Sequence, residues 1–223
     1  VLRAASTVSL EDRCRINHVA TAIIALSQGV PFFHAGDEIL RSKSLDRDSY
    51  SSGDWFNRLD YSGETHNFGI GLPGAQKNGD RYPFIAPMLA NTEMRPSKEL
   101  IRAATKNFCE LLSIRRSTSL LRLRSTREIK RRMKFYNRGP AQHPGLIVAA
   151  INDGDASTRP GLGVVDDNFR RLVIAFNATP NAISHEEADL LVDFAGVNLE
   201  LHPLAGSLTK DERTLSSTFN EGI

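Results

Sequence analysis

A helical stripe that stops on a glycine and runs into a short apolar segment with a polar tip most narrows what this chain can fold into. Ser9 and Asp12 form the S-x-x-D variant of a capping box, in which side chains satisfy the amide groups that a helix start leaves bare. Ile16, Val19 and Ile23, with Ala20, Ile24 and Ser27 beside them, recur at steps of three and four, so the spacing predicts a helix over Ser9–Gln28. Gly29 ends it, because glycine enters the left-handed region without a Cβ clash. Val30–His34 reads as a short buried strand, with Pro31 near its start where a strand tolerates it. Ala35-Gly-Asp-Glu38 follows at its C-terminal end. That order is the grammar of an α/β barrel or a doubly wound sheet.

The next stretch changes character. Residues 41–96 hold ten glycine and proline punctuators, few periodic stretches, and an aromatic set of Tyr50, Trp55, Phe56, Tyr61 and Tyr82. A structureless loop of this length in a compact domain is uncommon and usually functional. Ser97–Arg116 predicts a second helix, with Leu100, Ala104, Phe108, Leu111 and Leu112 on one face. After it the period switches to strands, expected at Ile129–Tyr136, Leu146–Ile151, Leu172–Asn177 and Leu199–His202, with glycine-containing turns between them. The chain therefore divides into a first part, 1–118, and a small all-β part, 119–223.

Composition excludes several classes. The 223 residues suit one large domain or two small ones, and 40% hydrophobic with 24% charged residues is a globular balance. The longest apolar run, Val19–Leu26 with Thr21 inside it, is far short of the roughly 20 residues of a membrane-crossing helix. With 28 basic against 26 acidic side chains, no global field draws the chain to nucleic acid or a membrane surface. Arg122–Arg138 is locally basic, but its alternation with Leu123, Ile129, Met133 and Phe135 reads as the solvated face of strands. Cys14 and Cys109 sit in helical patterns and are expected as buried free thiols in a reducing or neutral compartment. No His/Cys cluster has metal-ligand spacing, and no cofactor is expected. Gly69-Ile-Gly-Leu-Pro-Gly74 matches G-x-G-x-x-G but lacks the preceding strand and following helix of a dinucleotide site. Asn177-Ala-Thr179 closes an expected strand and is not read as a glycosylation site. Val1 stands where an initiator Met would, and the chain reads as an internal piece of a longer one.

Gly29-Val-Pro-Phe-Phe-His-Ala-Gly-Asp-Glu38 resembles the last barrel strand of the α-amylase superfamily of glycoside hydrolases. The run that follows, Ile39 to Asn57 with Ser44-Leu-Asp-Arg-Asp48 and Ser52-Gly-Asp-Trp-Phe-Asn57, resembles the starch-debranching enzymes, pullulanase and plant limit dextrinase. Asn137-Arg-Gly-Pro140 followed by Pro144-Gly-Leu-Ile-Val148 is similar to the plant-type limit dextrinases in particular. The resemblance implies an α/β plus all-β fold: the C-terminal end of a (β/α)8, TIM-type barrel, then a truncated antiparallel β-sandwich. It implies hydrolysis of α-1,6-glucosidic branch linkages in α-glucans such as pullulan, limit dextrin and amylopectin. The family's aspartate nucleophile, glutamate acid/base and second aspartate would lie upstream, so no catalytic residue is expected in this segment, and the isolated piece is expected to be inactive. A plastid stroma location is implied by the plant-type resemblance alone. A non-catalytic glucan- or partner-binding module is the alternative from another class.

The resemblance also singles out Arg47 and Asp80, in Ser44-Leu-Asp-Arg-Asp48 and Lys77-Asn-Gly-Asp80. In the family, an arginine and an aspartate at these motif positions grip the glucose second from the cleaved bond on its non-reducing side. A carboxylate can accept from two sugar hydroxyls while a guanidinium holds it by charge-assisted bonds. The plainer alternative is a surface ion pair worth about 0–1 kcal/mol. Asp37 and Glu38 are a tempting carboxylate pair, but neighbours on a strand point to opposite faces and cannot flank one sugar; hydrogen bonding at a strand end is expected for them. His34 is expected as a packed histidine, Trp55 as a residue pinning its loop, and Tyr82 as either platform or packing.

Overall fold

The computed structural model describes residues 8–154, 161–183, 191–194 and 199–205. In chain order the helices are α1 (Leu10–Leu26), α2 (Asp54–Asn57), α3 (Ala75–Asn78), α4 (Tyr82–Ala90), α5 (Lys98–Ser117), α6 (Thr126–Arg132) and, after the strands, α7 (Leu191–Phe194). The strands are β1 (Met133–Tyr136), β2 (Leu146–Asn152) and β3 (Arg171–Asn177). The chain forms two compact units, one of residues 1–18 and 33–108, the other of 19–32 and 109–223.

The start of α1 is built as its capping residues require. Ser9 Oγ accepts the Asp12 amide at 3.1 Å and donates to the Asp12 carboxylate at 2.8 Å. Gly29, at φ +91°, closes the far end. In the first unit, Phe68, Ile85 and Leu89 form a core to which Leu45, Tyr82 and Met94 add partly buried surface. Helix α4 carries Ile85, Met88 and Leu89 inward at helical spacing. It lies in the stretch read as structureless, because Pro83 and Pro87 look like punctuation. Pro83 stands in the first turn, where its missing N–H costs nothing, and Pro87 removes only one bond of a nine-residue helix. Gly69 is fixed by this packing: a Cβ there would lie 2.5 Å from the Leu89 carbonyl oxygen.

The second unit holds a three-stranded antiparallel sheet in the order β1-β2-β3, with Tyr136 opposite Val148 and Val148 opposite Ala175. β2 is buried at every position but Ile147. Its alternate residues feed two cores. Leu146, Val148 and Ala150 pack with Tyr136 and Phe194. Ile151 packs with Ile114, Leu120, Leu121 and Ala205, joined by partly buried Leu26, Met133 and Phe169. The buried Arg115 holds the part of the chain from Ala25 to Gly29 within this unit. Its Nη1 donates to the carbonyls of Ala25 at 2.8 Å and Ser27 at 2.7 Å, and its Nη2 to that of Gly29. The Ala25 carbonyl is one that a helix end leaves without a partner, and those of Ser27 and Gly29 lie in the turn beyond it.

Five expectations are corrected. Residues 126–132 are helix α6, and only Met133–Tyr136 of the expected strand is extended. Ser125 caps the helix through its Oγ and the Glu128 amide at 3.2 Å, an S-x-x-E signal that the apolar alternation hides. Arg132, assigned to a solvated face, is buried. Val30–His34 is not a strand among the described residues: Val30 is 94% and Phe32 89% exposed, and only Phe33 packs, edge-on to Phe108 at 4.9 Å. An apolar run cannot form a ladder without a neighbouring strand. The described residues of Leu199–His202 also form no strand; His202 instead stacks on Phe169 at 5.0 Å. Cys109 is exposed and Cys14 partly buried, so the expected burial of Cys109 does not hold.

Candidate functional site

The segment after the Asp37–Ile39 turn is a backbone of unusual shape. Leu40, Ser44 and Leu45 all have positive φ, at 55°, 48° and 60°. Residues with side chains rarely adopt this conformation, and such clusters persist only where the surroundings over-determine them. Here the surroundings do so. Ser44 is buried and its Oγ donates to the Asn67 carbonyl. His66 Nε2 lies 2.6 Å from the Leu40 carbonyl, and Arg41 donates to the carbonyls of Ala35 and Asn57. Lys43 Nζ donates to Ser49 Oγ at 2.8 Å.

This loop presents Asp46, Arg47 and Asp48 to the segment 77–80, and all three find a partner there. Asn78 Nδ2 donates to Asp46 Oδ1 at 2.9 Å. Arg47 meets Asp80 as a fork, Nη2 to Oδ1 at 2.9 Å and Nη1 to Oδ2 at 3.3 Å. Lys77 Nζ lies 3.1 Å from Asp48 Oδ2. The hydrogen bond and charge of Lys77 hold the Asp48 carboxyl below its usual range. Burial alone would raise Asp46, but hydrogen bonds from the Ser52 hydroxyl, the Asp48 amide and Asn78 outweigh it and keep it low. Arg47 and Asp80, separated by 33 positions, are thus brought together with about half or more of each side chain exposed. Arg47 also borders a pocket of about 540 Å³ lined by Lys43, Asp46, Asp48, Ser49, Tyr50 and Asn57.

The other candidates fall differently. Asp37 Oδ2 accepts the His34 amide at 3.1 Å and Glu38 Oε2 the Gly36 amide at 2.9 Å, so both carboxylates cap local backbone. His34 is exposed. Trp55 is 77% exposed and does not pin its loop. Tyr82 belongs to the core, its hydroxyl donating to the Pro73 carbonyl at 2.7 Å. Sequence reasoning missed Asn78 and the Asp48–Lys77 pair; the only signal was their place inside the two motifs that carry Arg47 and Asp80. No group of three or more potential metal ligands occurs among the described residues. No described helix is long and apolar enough to cross a membrane.

His66 makes this region pH-sensitive. Its Nδ1 accepts the Phe68 amide at 3.2 Å while Nε2 faces the Leu40 carbonyl, so the neutral Nε2–H tautomer satisfies both. Burial pushes its pKa down and Arg95 adds to this, against the Leu40 hydrogen bond. The unfolded chain therefore takes up the proton first. Stability falls as pH drops through the ordinary histidine value of about 6.5 and levels off below the folded value. His202, lowered by burial in the other unit, acts in the same direction. Urea midpoints of wild type and His66→Gln between about pH 5 and 8 isolate the His66 share: the variant's profile should be flatter. Superimposable slopes would contradict this assignment.

The family described as alpha-1,6-glucosidases, pullulanase-type, C-terminal, matches residues 63–222. The chain is 46% identical over 219 residues to pullulanase 1, chloroplastic, of Arabidopsis thaliana, covering 98% of this chain and 22% of that protein. It is 35% identical over 199 residues to a pullulanase of Klebsiella pneumoniae, covering 89% of this chain and 17% of that one. Among solved structures it resembles apo pullulanase from Klebsiella pneumoniae, with a TM-score of 0.79 and 35% identity over 90% of this chain and 20% of that chain. A Klebsiella pneumoniae pullulanase complexed with maltotriose gives a TM-score of 0.78 at 34% identity, covering 90% of this chain and 18% of that chain. The chain thus spans between 17% and 22% of the length of these two curated relatives.

Proposed function

The chain belongs to the pullulanase-type α-1,6-glucosidases, and from that premise we propose that it is the C-terminal part of a debranching hydrolase acting on α-1,6 linkages in pullulan, limit dextrins and amylopectin. In this reading the reaction is a retaining double displacement. A carboxylate attacks the anomeric carbon, an acid protonates the leaving oxygen, and water then hydrolyses the glycosyl-enzyme. The carboxylates that do this lie upstream of the present segment. Val30–His34 is the last barrel strand, gaining its ladder from the preceding strands, and residues 1–118 complete that barrel. Residues 119–223 are the β-sandwich that follows it. The name of the Arabidopsis relative supports a plastid location.

The observation that carries the reading is the exposed Arg47–Asp80 fork beside its pocket. Two of the five guanidinium N–H groups are spent on Asp80. The remaining donors and the unused carboxylate lone pairs match the alternating hydroxyls of a glucose ring. The fork holds each partner at a fixed angle, so a sugar bound across it is oriented as well as held.

The test is the full-length protein on pullulan. Release of reducing ends above a buffer control, surviving repurification, is expected. Tight pullulan binding with no release would instead favour the non-catalytic glucan-binding alternative.

A further inference from the structure

We propose that Asn78 is a positioning residue for glucan binding: its buried side chain locks the Arg47 loop to the Asp80 turn and so sets the geometry of the fork. This rests on the reading of Arg47 and Asp80 as the sugar-gripping pair and adds what holds that pair in place. An exposed ion pair does not fix two loops by itself, since side-chain entropy and solvent screening offset its attraction. Something beneath it must.

Asn78 is 1% exposed, and its amide group is engaged on every side. Oδ1 accepts the backbone amide of Arg47 at 3.1 Å. Nδ2 donates to Asp46 Oδ1 at 2.9 Å and to the Gly74 carbonyl at 3.2 Å. The orientation of the amide is unambiguous, because one end faces an N–H and the other two acceptors. The residue ends α3 and immediately precedes the 3-10 turn Gly79–Arg81 that carries Asp80. One side chain therefore touches the backbone of Arg47 and sits two positions from Asp80. A substitution that loses these bonds removes the acceptor of the Arg47 amide and one of the donors to Asp46, which keeps Ser52 and the Asp48 amide, and so cuts the side-chain link between the Arg47 loop and the Asp80 turn.

The experiment measures maltotriose affinity by calorimetry on the full-length protein and on Asn78→Ala, Asp80→Ala and the double variant. Asn78→Ala should weaken maltotriose roughly tenfold, and by no more than Asp80→Ala does. The double variant should bind within about twofold of Asp80→Ala alone, because Asn78 acts through the fork. Asn78→Asp provides a second readout if the alanine variant misfolds. The carboxylate introduced there faces Asp46, so affinity relative to wild type at the same pH should be weakest near neutral pH and recover as pH falls into the carboxylate range. Multiplying effects in the double variant, or wild-type affinity in Asn78→Ala, would overturn the positioning role. Unchanged affinity in Asp80→Ala would overturn the fork reading instead.

Discussion

Arg132→Met should destabilise the second unit by about 3–5 kcal/mol, the cost of leaving a buried charge without its partner. Arg132 and Asp153 are both nearly inaccessible and pair at 2.9 Å between Nη1 and Oδ1. Arg132 also donates from Nε to Glu128 at 2.6 Å and from Nη2 to the Gly163 carbonyl at 2.6 Å. Asp153 accepts the amides of Gly154 at 2.7 Å, Val165 at 2.9 Å and Asp166 at 3.1 Å. Asp166 in turn takes the Thr118 hydroxyl at 2.6 Å and the amides of Ser119, Asn168 and Phe169. The pair is thus the centre of a network that ties α6 and β2 to the connection before β3. Methionine keeps much of the volume but none of the donors, and Asp153 retains only a distant cation, Arg170 at 3.9 Å. Hydrogen exchange of the β2 amides across a urea series measures the loss. A shift below about 1 kcal/mol would mean that water or rearrangement compensates the buried carboxylate.

Elements with both a local period and a local stop were legible in the sequence. Helix α1 has Ser9 at one end and Gly29 at the other, α5 lies where its period was read although it buries Ile101, Leu111 and Ile114 and leaves Leu112 exposed, and β2 and β3 lie where unbroken apolar runs fall between turns. What failed depends on partners distant in sequence. Arg132 looked solvated because Asp153 stands 21 positions away, and nothing in a basic run says which member turns inward. Val30–His34 has strand composition, but a strand exists only beside another, and no such neighbour occurs among the described residues. Helix α4 was masked by two prolines, each tolerable where it stands. Trp55 was expected to pin its loop, yet its side chain is largely exposed. For the site, Arg47 and Asp80 came from family resemblance; spacing alone does not pair residues across a loop rich in glycine and proline. The positive-φ run of Leu40, Ser44 and Leu45 has no glycine to announce it. Asn78 has no charge or periodicity to mark it, and its importance lies in burial and hydrogen bonds that only the fold creates.

Asp80→Ala in the full-length protein probes the sugar-gripping role most directly. The substitution removes the carboxylate that orients Arg47 and the acceptors offered to glucose hydroxyls. A charge-assisted hydrogen bond is worth about 1.5–3 kcal/mol where it is made, and binding energy away from the scissile bond helps to position it. kcat and KM should both suffer. Folding should not, because an exposed ion pair adds about 0–1 kcal/mol and surface substitutions shift stability little. The deciding measurement is kcat/KM on pullulan for wild type and Asp80→Ala, with melting temperatures taken on the same samples. kcat/KM is expected to fall about ten- to a hundredfold at an essentially unchanged melting temperature; wild-type kcat/KM in the Asp80→Ala protein would rule out the sugar-gripping role.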